Sequence, residues 1–455
     1  MNMSDEIKLF DTYTRSKRLF VPLESGKIKV YTCGPTVYDY PHIGNLRAYV
    51  FADILRRMFE FNGYDVTHVI NITDVGHLAS DADEGEDKVE ASAREQKRSA
   101  LEITKFYAEI FKQNLISLNI ESPTVWSVAT EHIAEQIALV ERLEKLGYTY
   151  KTSDGVYFDT SKLSDYGHLG RLDINGMMFG ARVEENREKR NPTDFALWKF
   201  SPKGKKRQME WDSPWGVGFP GWHIECSAMA MKYLGETIDV HTGGIDHIPI
   251  HHTNEIAQSE AVTGKQFARY WMHVAFLSVD GGKMAKSLAN FFTLQDLVDK
   301  GYDPLSFRYL LLTAKYRASL NFTWKSLDGA REALSSLRER IAELGDNASE
   351  PKRELVEEFR GCINDDLNTS EAIALLWKVT GLPIDPAVKK ATIAEFDKVL
   401  GVGLMNKNEV DISESIKILI ANREALRKEK KWEEADKIRI ELGACGFKVK
   451  DTKKL

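Results

Sequence analysis

The sequence lacks several features that would place it in a specialised class of protein. Four widely spaced cysteines in 455 residues are too few for a disulfide framework, so they are buried apolar groups, catalytic groups or metal ligands. No stretch approaches the ~20 apolar residues that span a bilayer, and the first residues hold no apolar signal core, so we expect a cytoplasmic protein without a membrane segment. The net charge of −6 argues neither for nor against nucleic acid, since local basic patches would suffice.

An α/β pattern opens the chain. Residues 27–30 (KIKV) resemble a short strand that runs into the turn-forming pair Gly34-Pro35. A helical period follows through HIGNLRAYVFADILRRMFEFNG, and the β-rich run DVTHVINITD comes next. Strand, glycine-containing turn, helix and strand predict a parallel βαβ unit with a nucleotide-sized crevice at its carboxyl edge.

The pattern changes after about Ser80. An acidic loop, two amphipathic helical segments and the strand-like run DGVYFDT indicate an insertion between two halves of the α/β fold. The α/β character returns near PGWHIECSAMAMKYLG. Beyond Asp303-Pro304 the pattern is almost wholly helical, and a linker near residues 401–409 precedes a last helical piece.

The motif Pro41-His42-Ile43-Gly44-Asn45 stands at the predicted strand-to-helix junction. The N-terminus of a helix attracts phosphate, Gly44 lets a ligand approach the backbone, and His42 can donate to a phosphoryl oxygen. Taken alone, a histidine at a helix start is more often a cap or a surface residue. The motif therefore needs a second observation beside it.

The second motif, Lys283-Met284-Ala285-Lys286-Ser287, follows two glycines. Its two lysines can close over a polyphosphate and neutralise charge as pyrophosphate leaves, although a lone pair of lysines is more often an exposed loop. Together the two motifs resemble the signature pair of class I aminoacyl-tRNA synthetases. Asn45 stands where that family usually has a second histidine and Ala285 where it has a serine, which leaves the roles of both positions open.

A third set of residues has the chemistry of zinc ligands. Cys33, Cys226, His251 and Glu255 are all competent, and the last two share one face of a predicted helix. Spacing alone does not separate them from buried cysteines and surface histidines. It also leaves three rival ligands: His241, His247 and His252.

Five blocks of the sequence resemble the successive blocks of cysteinyl-tRNA synthetases: VYTCGPTVYDYPHIGN, NITDVG, PGWHIECSAMA, HTGGIDHIPIHHTNEIAQSEA and KMAKSLANF. The resemblance runs from about Leu9 to the C-terminus. It implies one catalytic zinc on Cys33, Cys226, His251 and Glu255. It places the cysteine substrate near Gly34, Thr73 and Trp222. It implies ATP binding by Pro41, His42, Gly44, Asn45, Gly243, Gly244, Asp246 and Lys286, and catalytic roles for His42, Asn45, Lys283 and Lys286.

The C-terminal residues 411–455 hold 12 Lys+Arg against 9 Asp+Glu in an otherwise acidic chain. In a predicted helix over residues 424–440, Trp432, Asp436 and Arg439 recur at helical spacing. A splayed base can stack on the indole while the charged side chains read its edges. Composition alone favours a charged helix with one core tryptophan, whereas the resemblance implies anticodon binding.

The implied reaction has two steps. Cysteine carboxylate attacks the α-phosphorus of ATP, with magnesium, to give cysteinyl-adenylate and pyrophosphate, and a ribose hydroxyl of the tRNA's terminal adenosine then attacks the activated carbonyl. Zinc would select cysteine over serine, because a soft metal binds thiolate and a hydroxyl is a poor ligand. The alternatives are a cysteine ligase acting on a sugar amine and an inactive, zinc-stabilised tRNA-binding protein.

The resemblance also implies a domain order for a chain that is expected to be monomeric and to bind tRNA(Cys), ATP and L-cysteine. The predicted fold is α/β: a split Rossmann-type parallel sheet with an α/β insertion, then a helical bundle and an anticodon-binding region. The expected bounds are 1–95 and 216–300 for the two Rossmann halves, 96–215 for the connective insertion, 301–330 for a stem-contact junction, 331–405 for the bundle and 410–455 for the anticodon region.

Overall fold

The computed structural model describes residues 6–76, 87–172, 188–202, 204, 207–282, 284, 290–406, 421–423, 425–427, 429 and 431–444, with side chains of the last helix up to Arg439. The strands are β1 Lys8–Asp11, β2 Ser16–Leu19, β3 Lys27–Thr32, β4 Asp65–Ile72, β5 Val125–Val128, β6 Thr149–Lys151, β7 Gly155–Phe158, β8 Phe195–Phe200, β9 Gly218–Pro220, β10 Ile238–Gly244, β11 Ala268–Val274, β12 Leu277–Val279 and β13 Leu320–Phe322. The helices are α1 Ile43–Phe61, α2 Lys88–Gln96, α3 Ala100–Ser117, α4 Ile133–Lys145, α5 Trp222–Leu234, α6 His251–Thr263, α7 Leu294–Asp299, α8 Pro304–Leu312, α9 Trp324–Ala342, α10 Arg353–Asn364, α11 Thr369–Gly381, α12 Pro386–Leu400 and α13 Trp432–Ala444.

A parallel sheet of five strands forms the centre of the fold, in the order β11-β10-β3-β4-β5. Every pairing in it is parallel. The predicted βαβ unit is β3, α1 and β4, which confirms the α/β fold. The strand order changes direction between β3 and β10, and a crevice for ligands opens at the carboxyl ends of such neighbouring strands. Cys33 and Gly34 follow β3 at this edge, and Gly243 and Gly244 end β10 there.

A smaller antiparallel sheet, β6-β7-β8-β9, lies between the two halves of the parallel sheet along the chain. Its bounds differ from those expected for the insertion, 96–215. Strand β5 lies inside that range yet pairs with β4 in the parallel sheet, and β9 lies beyond it yet pairs with β8. Short strands of both sheets have similar sequence patterns, so only their pairing distinguishes them.

In the described part of the chain after Asp303 the regular elements are helices, as predicted, except for β13, which pairs in parallel with β12. The single helix predicted over residues 424–440 is wrong: α13 begins at Trp432, and Lys431 lies outside it. The sequence KEKK just before Trp432 has four charged residues in succession and offers no apolar face to a helix. Among the described residues, no helix is long and apolar enough to cross a bilayer.

Candidate active site and metal cluster

Three distant segments bring the predicted metal ligands together. Cys33 follows β3, Cys226 lies on α5, and His251 and Glu255 lie one turn apart on α6. One ligand atom of each lies within 4.8 Å of the others, and all four side chains are buried. Two thiols, an imidazole and a carboxylate are a suitable donor set for a tetrahedral zinc ion. The cluster can therefore hold a metal.

Two of the three rival histidines share this cluster. His241, His252, Cys33 and Glu255 form a second group of ligand atoms within 4.8 Å of one another. His241 Nε2 lies 2.7 Å from one oxygen of Glu255, and His252 Nε2 lies 3.3 Å from Cys33 Sγ. His252 Nδ1 also lies 2.7 Å from His273 Nε2. His247 belongs to neither group of ligands found in the described residues.

The electrostatics of the metal-free cluster favour the ligand forms of Cys226 and Glu255 and oppose those of Cys33 and His251. The neighbouring thiol of Cys33 lowers the pKa of Cys226 to about 7, whereas burial raises the pKa of Cys33. Burial would raise the pKa of Glu255, but His241 and His251 outweigh it and hold that pKa low. Burial opposes protonation of His251, yet Glu255 and Cys226 raise its pKa to about 10. Metal binding must therefore remove the protons of Cys33 and His251, because the ligand forms are thiolate and neutral imidazole.

The three residues expected near the cysteine substrate lie beside the cluster. A Cβ at Gly34 would come 1.5 Å from the Asn71 carbonyl oxygen, so only glycine fits there, and the Gly34 N–H donates to Asn71 Oδ1 at 2.7 Å. Thr73 Oγ1 donates to Glu225 Oε2 at 3.2 Å. The Trp222 ring stands 4.6 Å, centroid to centroid, from His251.

Asn71 and Glu225 were not singled out from the sequence. Asn71 Nδ2 donates to Thr73 Oγ1 at 3.0 Å, so both residues orient the Thr73 hydroxyl from opposite sides. Both side chains are buried. The signal available in the sequence was a polar residue inside the apolar run of β4 and a carboxylate directly before Cys226.

The residues predicted to bind phosphate lie at the start of α1. His42 Nδ1 accepts from the Asn45 N–H at 3.1 Å, and Asn45 Oδ1 accepts from the His42 N–H at 3.2 Å. This reciprocal pair is a capping box. Asn45, whose role the sequence left open, therefore helps to fix the start of α1. Burial lowers the pKa of His42. The ring is therefore neutral at pH 7 and carries its proton on Nε2, where it can donate to a ligand.

The second motif meets the first through a methionine. A Cβ on Gly44 would lie 2.9 Å from Met284 Cε and from the His42 ring. The Ile43 N–H donates to the Phe292 carbonyl at 2.8 Å, which ties the chain after the lysine motif to α1. Lys283, Ala285 and Lys286 lie outside the described residues.

The residues expected near adenosine end β10 opposite Gly34. A Cβ at Gly243 would lie 2.6 Å from His247 Nδ1 and 2.7 Å from the buried His252 ring, so glycine is needed there, whereas one at Gly244 would meet only the movable Asp246 carboxylate at 2.2 Å. The Asp246 side chain is 58% exposed and available to a ligand.

The predicted anticodon residues lie on α13. Trp432 is 56% exposed, so the expectation of a core tryptophan is wrong for this helix. The Asp436 and Arg439 side chains lie 3.4 Å apart and are both about half exposed. Indole, carboxylate and guanidinium therefore share an accessible stretch of helix.

Comparison with known proteins places this fold and site in a class. A family model of the class I (C) tRNA synthetase catalytic domain matches residues 19–332. A solved methionyl-tRNA synthetase of Mycobacterium tuberculosis with methionyl-adenylate is 16% identical and covers 83% of this chain and 90% of its own, with a TM-score of 0.56. A LeuRS–tRNA–LeuAMS complex of Agrobacterium radiobacter is 13% identical and covers 86% of each chain, with a TM-score of 0.58. The fold is that of a class I aminoacyl-tRNA synthetase.

The second family model and the relatives define the particular family. The cysteinyl-tRNA ligase anticodon-binding domain matches residues 409–454. Cysteine–tRNA ligase 1 of Burkholderia lata is 52% identical, covering 98% of this chain and 95% of its own. The ligases of Treponema denticola (43%; 98% of each chain) and Thermococcus gammatolerans (39%; 98% and 97%) are similar over the same extent. The chain belongs to the cysteine–tRNA ligase family and is an aminoacyl-tRNA synthetase.

Proposed function

We propose that this enzyme activates L-cysteine with ATP to cysteinyl-adenylate and transfers cysteine to the 3′-terminal adenosine of tRNA(Cys), selecting cysteine by its sulfur. The observation that carries the proposal is the buried cluster of Cys33, Cys226, His251 and Glu255 at the same sheet edge as the capped start of α1. Sulfur-seeking ligands and a phosphate-type helix N-terminus thus lie in one crevice.

Cys33, Cys226, His251 and Glu255 are proposed to hold one zinc ion. When bound, zinc supplies a soft Lewis acid that attracts a thiolate far more strongly than a hydroxyl. The hydrogen bond of His223 Nδ1 to His251 Nδ1, at 2.9 Å, leaves His251 Nε2 facing Glu255 at 3.0 Å. His223 therefore orients the imidazole from behind, as outer partners of metal-binding histidines do.

The other substrate contacts follow from the groups around the cluster. Thr73, held by Asn71 and Glu225, is proposed to present its hydroxyl to the cysteine ammonium. Gly34, whose lack of a Cβ lets it pack against the Asn71 backbone, is proposed to contact the amino acid through its own backbone. Trp222 forms an apolar wall next to His251. These contacts position the carboxylate without a general base, which suits a reaction governed by positioning.

ATP is proposed to lie along the sheet edge between β3 and β10. His42 Nε2, the Gly44 N–H and the Asn45 side-chain amide would donate to phosphates beside Pro41, with a magnesium ion bound to the ATP. The exposed carboxylate of Asp246 would accept from ribose hydroxyls beside Gly243 and Gly244. Lys283 and Lys286 are proposed to neutralise the leaving pyrophosphate.

The remaining proposals concern the whole chain. Trp432, Asp436 and Arg439 would bind the anticodon. One chain carries all four ligands of the first metal group, so we propose that a monomer acts. For the domains, we propose the bounds expected from the sequence with two changes. Strand β5 is assigned to the parallel sheet, and β9 is assigned to the insertion.

The test is charging of mixed tRNA with labelled cysteine beside cysteine-dependent pyrophosphate exchange. We expect both activities. Exchange without charging of tRNA would instead indicate a ligase that transfers cysteine to another amine or hydroxyl. Absence of exchange would indicate an inactive tRNA-binding protein.

A further inference from the structure

Residues 400–404 are held by side chains from several distant elements. They end α12 and continue beyond it, a few residues before the match to the anticodon-binding domain starts at residue 409. Each of four successive carbonyls accepts a hydrogen bond from a side chain: Leu400 from Arg308 Nε at 2.8 Å, Gly401 from Asn119 Nδ2 at 2.9 Å, Val402 from Arg338 Nη2 at 2.9 Å and Gly403 from Arg338 Nε at 3.1 Å.

The backbone N–H groups of the same residues are also engaged. The Asp397 carboxylate accepts from Val402 at 2.9 Å and from Leu404 at 2.7 Å. Gly401 has φ +61°, and a Cβ there would lie 2.6 Å from Arg308 Nη2, so glycine is needed both for the turn and for the guanidinium. Backbone held in this way has little freedom to change direction.

The same arginine connects this segment to the helix of the ATP site. Arg308 is fully buried and donates to Asp53 on α1 at 2.5 Å. Arg57, one turn further along α1, donates to the same carboxylate at 2.8 Å and to the Lys398 carbonyl at 2.9 Å. Helix α1 begins after His42 and ends at Phe61, so one rigid element joins the phosphate-binding end to these contacts.

We propose that residues 400–404, held by Arg308, Arg338 and Asn119, form an anchor that sets where the anticodon-binding region starts relative to the ATP site. Arg338 and Asn119 are then positioning residues for tRNA charging and have no role in cysteine activation. This inference rests on the proposed function. A tRNA can engage both sites together only if the protein holds them at a matching separation, so a loosened anchor weakens the combined binding.

Two variants on different elements test the anchor. Arg338→Lys keeps a positive charge near Asp303, its other partner at 2.7 Å, but loses the fork to Val402 and Gly403. Asn119→Gly removes only the contact to Gly401, since glycine readily adopts the left-handed backbone of Asn119 at φ 52°. The control, Arg331→Gln, removes a partly exposed arginine of the same helix α9, which pairs with Asp328 and lies over the Tyr302 ring.

Both anchor variants should lower kcat/KM for tRNA charging by roughly tenfold, mainly through the KM for tRNA, as reduced effective concentration predicts. Cysteine-dependent pyrophosphate exchange should stay within about twofold of wild type. The penalty for an altered anticodon should also shrink in these variants, because anticodon contacts then contribute less to binding at the active site.

The anchor is contradicted if the wild-type enzyme is active and both variants charge tRNA and discriminate anticodons as Arg331→Gln does. It is also contradicted if exchange falls in step with charging, which would show general damage to the fold. A wild-type protein without cysteine-dependent exchange would overturn the proposed function and this inference together.

Discussion

At the scale of single residues, the two cluster cysteines differ in how easily they ionise. The neighbouring thiol lowers the pKa of Cys226 to about 7, whereas burial raises the pKa of Cys33. Since a thiolate is the metal-binding form, Cys226 is the cysteine that ionises first in the metal-free protein. Its replacement therefore tests both the metal and the selection of cysteine.

Cys226→Ser should lower the zinc content and raise the KM for cysteine by at least the 10–100-fold that loss of an outer metal partner costs. ATP binding should persist, and the preference for cysteine over serine should narrow, because the thiolate–metal contact is its main source. Elemental analysis beside exchange kinetics with both amino acids measures this. Cys362→Ser, on α10 and away from both metal groups, is the matched control and should behave as wild type. A zinc-free wild-type enzyme with full activity would falsify the metal assignment.

The carboxyl group of Asp74, next to Thr73 in the chain, leads to a prediction about how stability depends on pH. Burial raises its pKa from 3.8 to about 6, although Thr130 opposes the shift with hydrogen bonds from N–H and hydroxyl. The folded state keeps this proton between the two values while the unfolded state loses it, so its contribution to stability is present below 3.8 and is lost as pH rises through about 6. The difference corresponds to about 3 kcal/mol.

Asp74→Asn should therefore gain up to about 3 kcal/mol in free energy of unfolding, relative to wild type, as pH rises from about 4 to about 7. Urea unfolding of both proteins across that range measures the difference. Curves that stay parallel would show that this carboxylate does not titrate in the folded protein as described.

At the scale of elements, the first turn of α1 combines a structural role with a proposed chemical role. His42 and Asn45 close a capping box, as Ser99 and Glu102 do at α3. The two helix starts differ in their surroundings, since only α1 begins at the carboxyl edge of the parallel sheet next to the metal cluster. They therefore form a natural pair for comparison.

Asn45→Ala removes one of the two hydrogen bonds of its capping box, and Ser99→Ala removes an N-cap, so each should cost up to about 1 kcal/mol of stability. Only Asn45→Ala should also lower kcat for pyrophosphate exchange, by about tenfold, the value of one hydrogen bond. Urea unfolding and exchange kinetics separate the two effects. Equal exchange rates in the two variants would show that Asn45 acts only in the capping box.

Helix α13 allows a separate prediction because its tryptophan is exposed. Trp432→Ala should reduce charging at low tRNA concentration roughly 10–100-fold, since stacking contributes ~1–3 kcal/mol per base. The melting temperature and pyrophosphate exchange should not change, because the indole is 56% exposed. A fall in melting temperature would assign Trp432 to packing after all.

At the scale of the whole molecule, the metal cluster joins segments that are far apart in the chain. Cys33 belongs to the first half of the parallel sheet, whereas Cys226 and Glu255 belong to helices of the second half. A metal that binds only the folded state stabilises every element that supplies a ligand.

Removal of zinc by a chelator should therefore lower the free energy of unfolding, by about 2.7 kcal/mol relative to zinc at a hundred times its dissociation constant. Zinc should restore it and magnesium should not, because thiolates prefer the softer metal. Chemical unfolding with and without each metal measures this, and Cys226→Ser should respond weakly to zinc. Unchanged stability after complete removal would show that the metal has no structural role.

The sequence by itself determined the βαβ unit, the helical region after Asp303, the order of the motifs and the residue types that can bind a metal. These features depend on local period and on short motifs, which contiguous residues carry without reference to the rest of the chain. The capping box of α1 is also a local feature, since His42 and Asn45 lie one turn apart in the sequence.

Only the tertiary structure decided features that depend on contacts between distant residues. It assigned β5 to the parallel sheet, brought His241 and His252 against Cys33 and Glu255, and placed Asn71 and Glu225 around Thr73. It also showed that the Trp432 side chain is exposed. The side chains that hold residues 400–404 lie as much as 282 positions away, between Asn119 and Gly401. No local period records such a contact, because chain folding alone sets the distance between its partners.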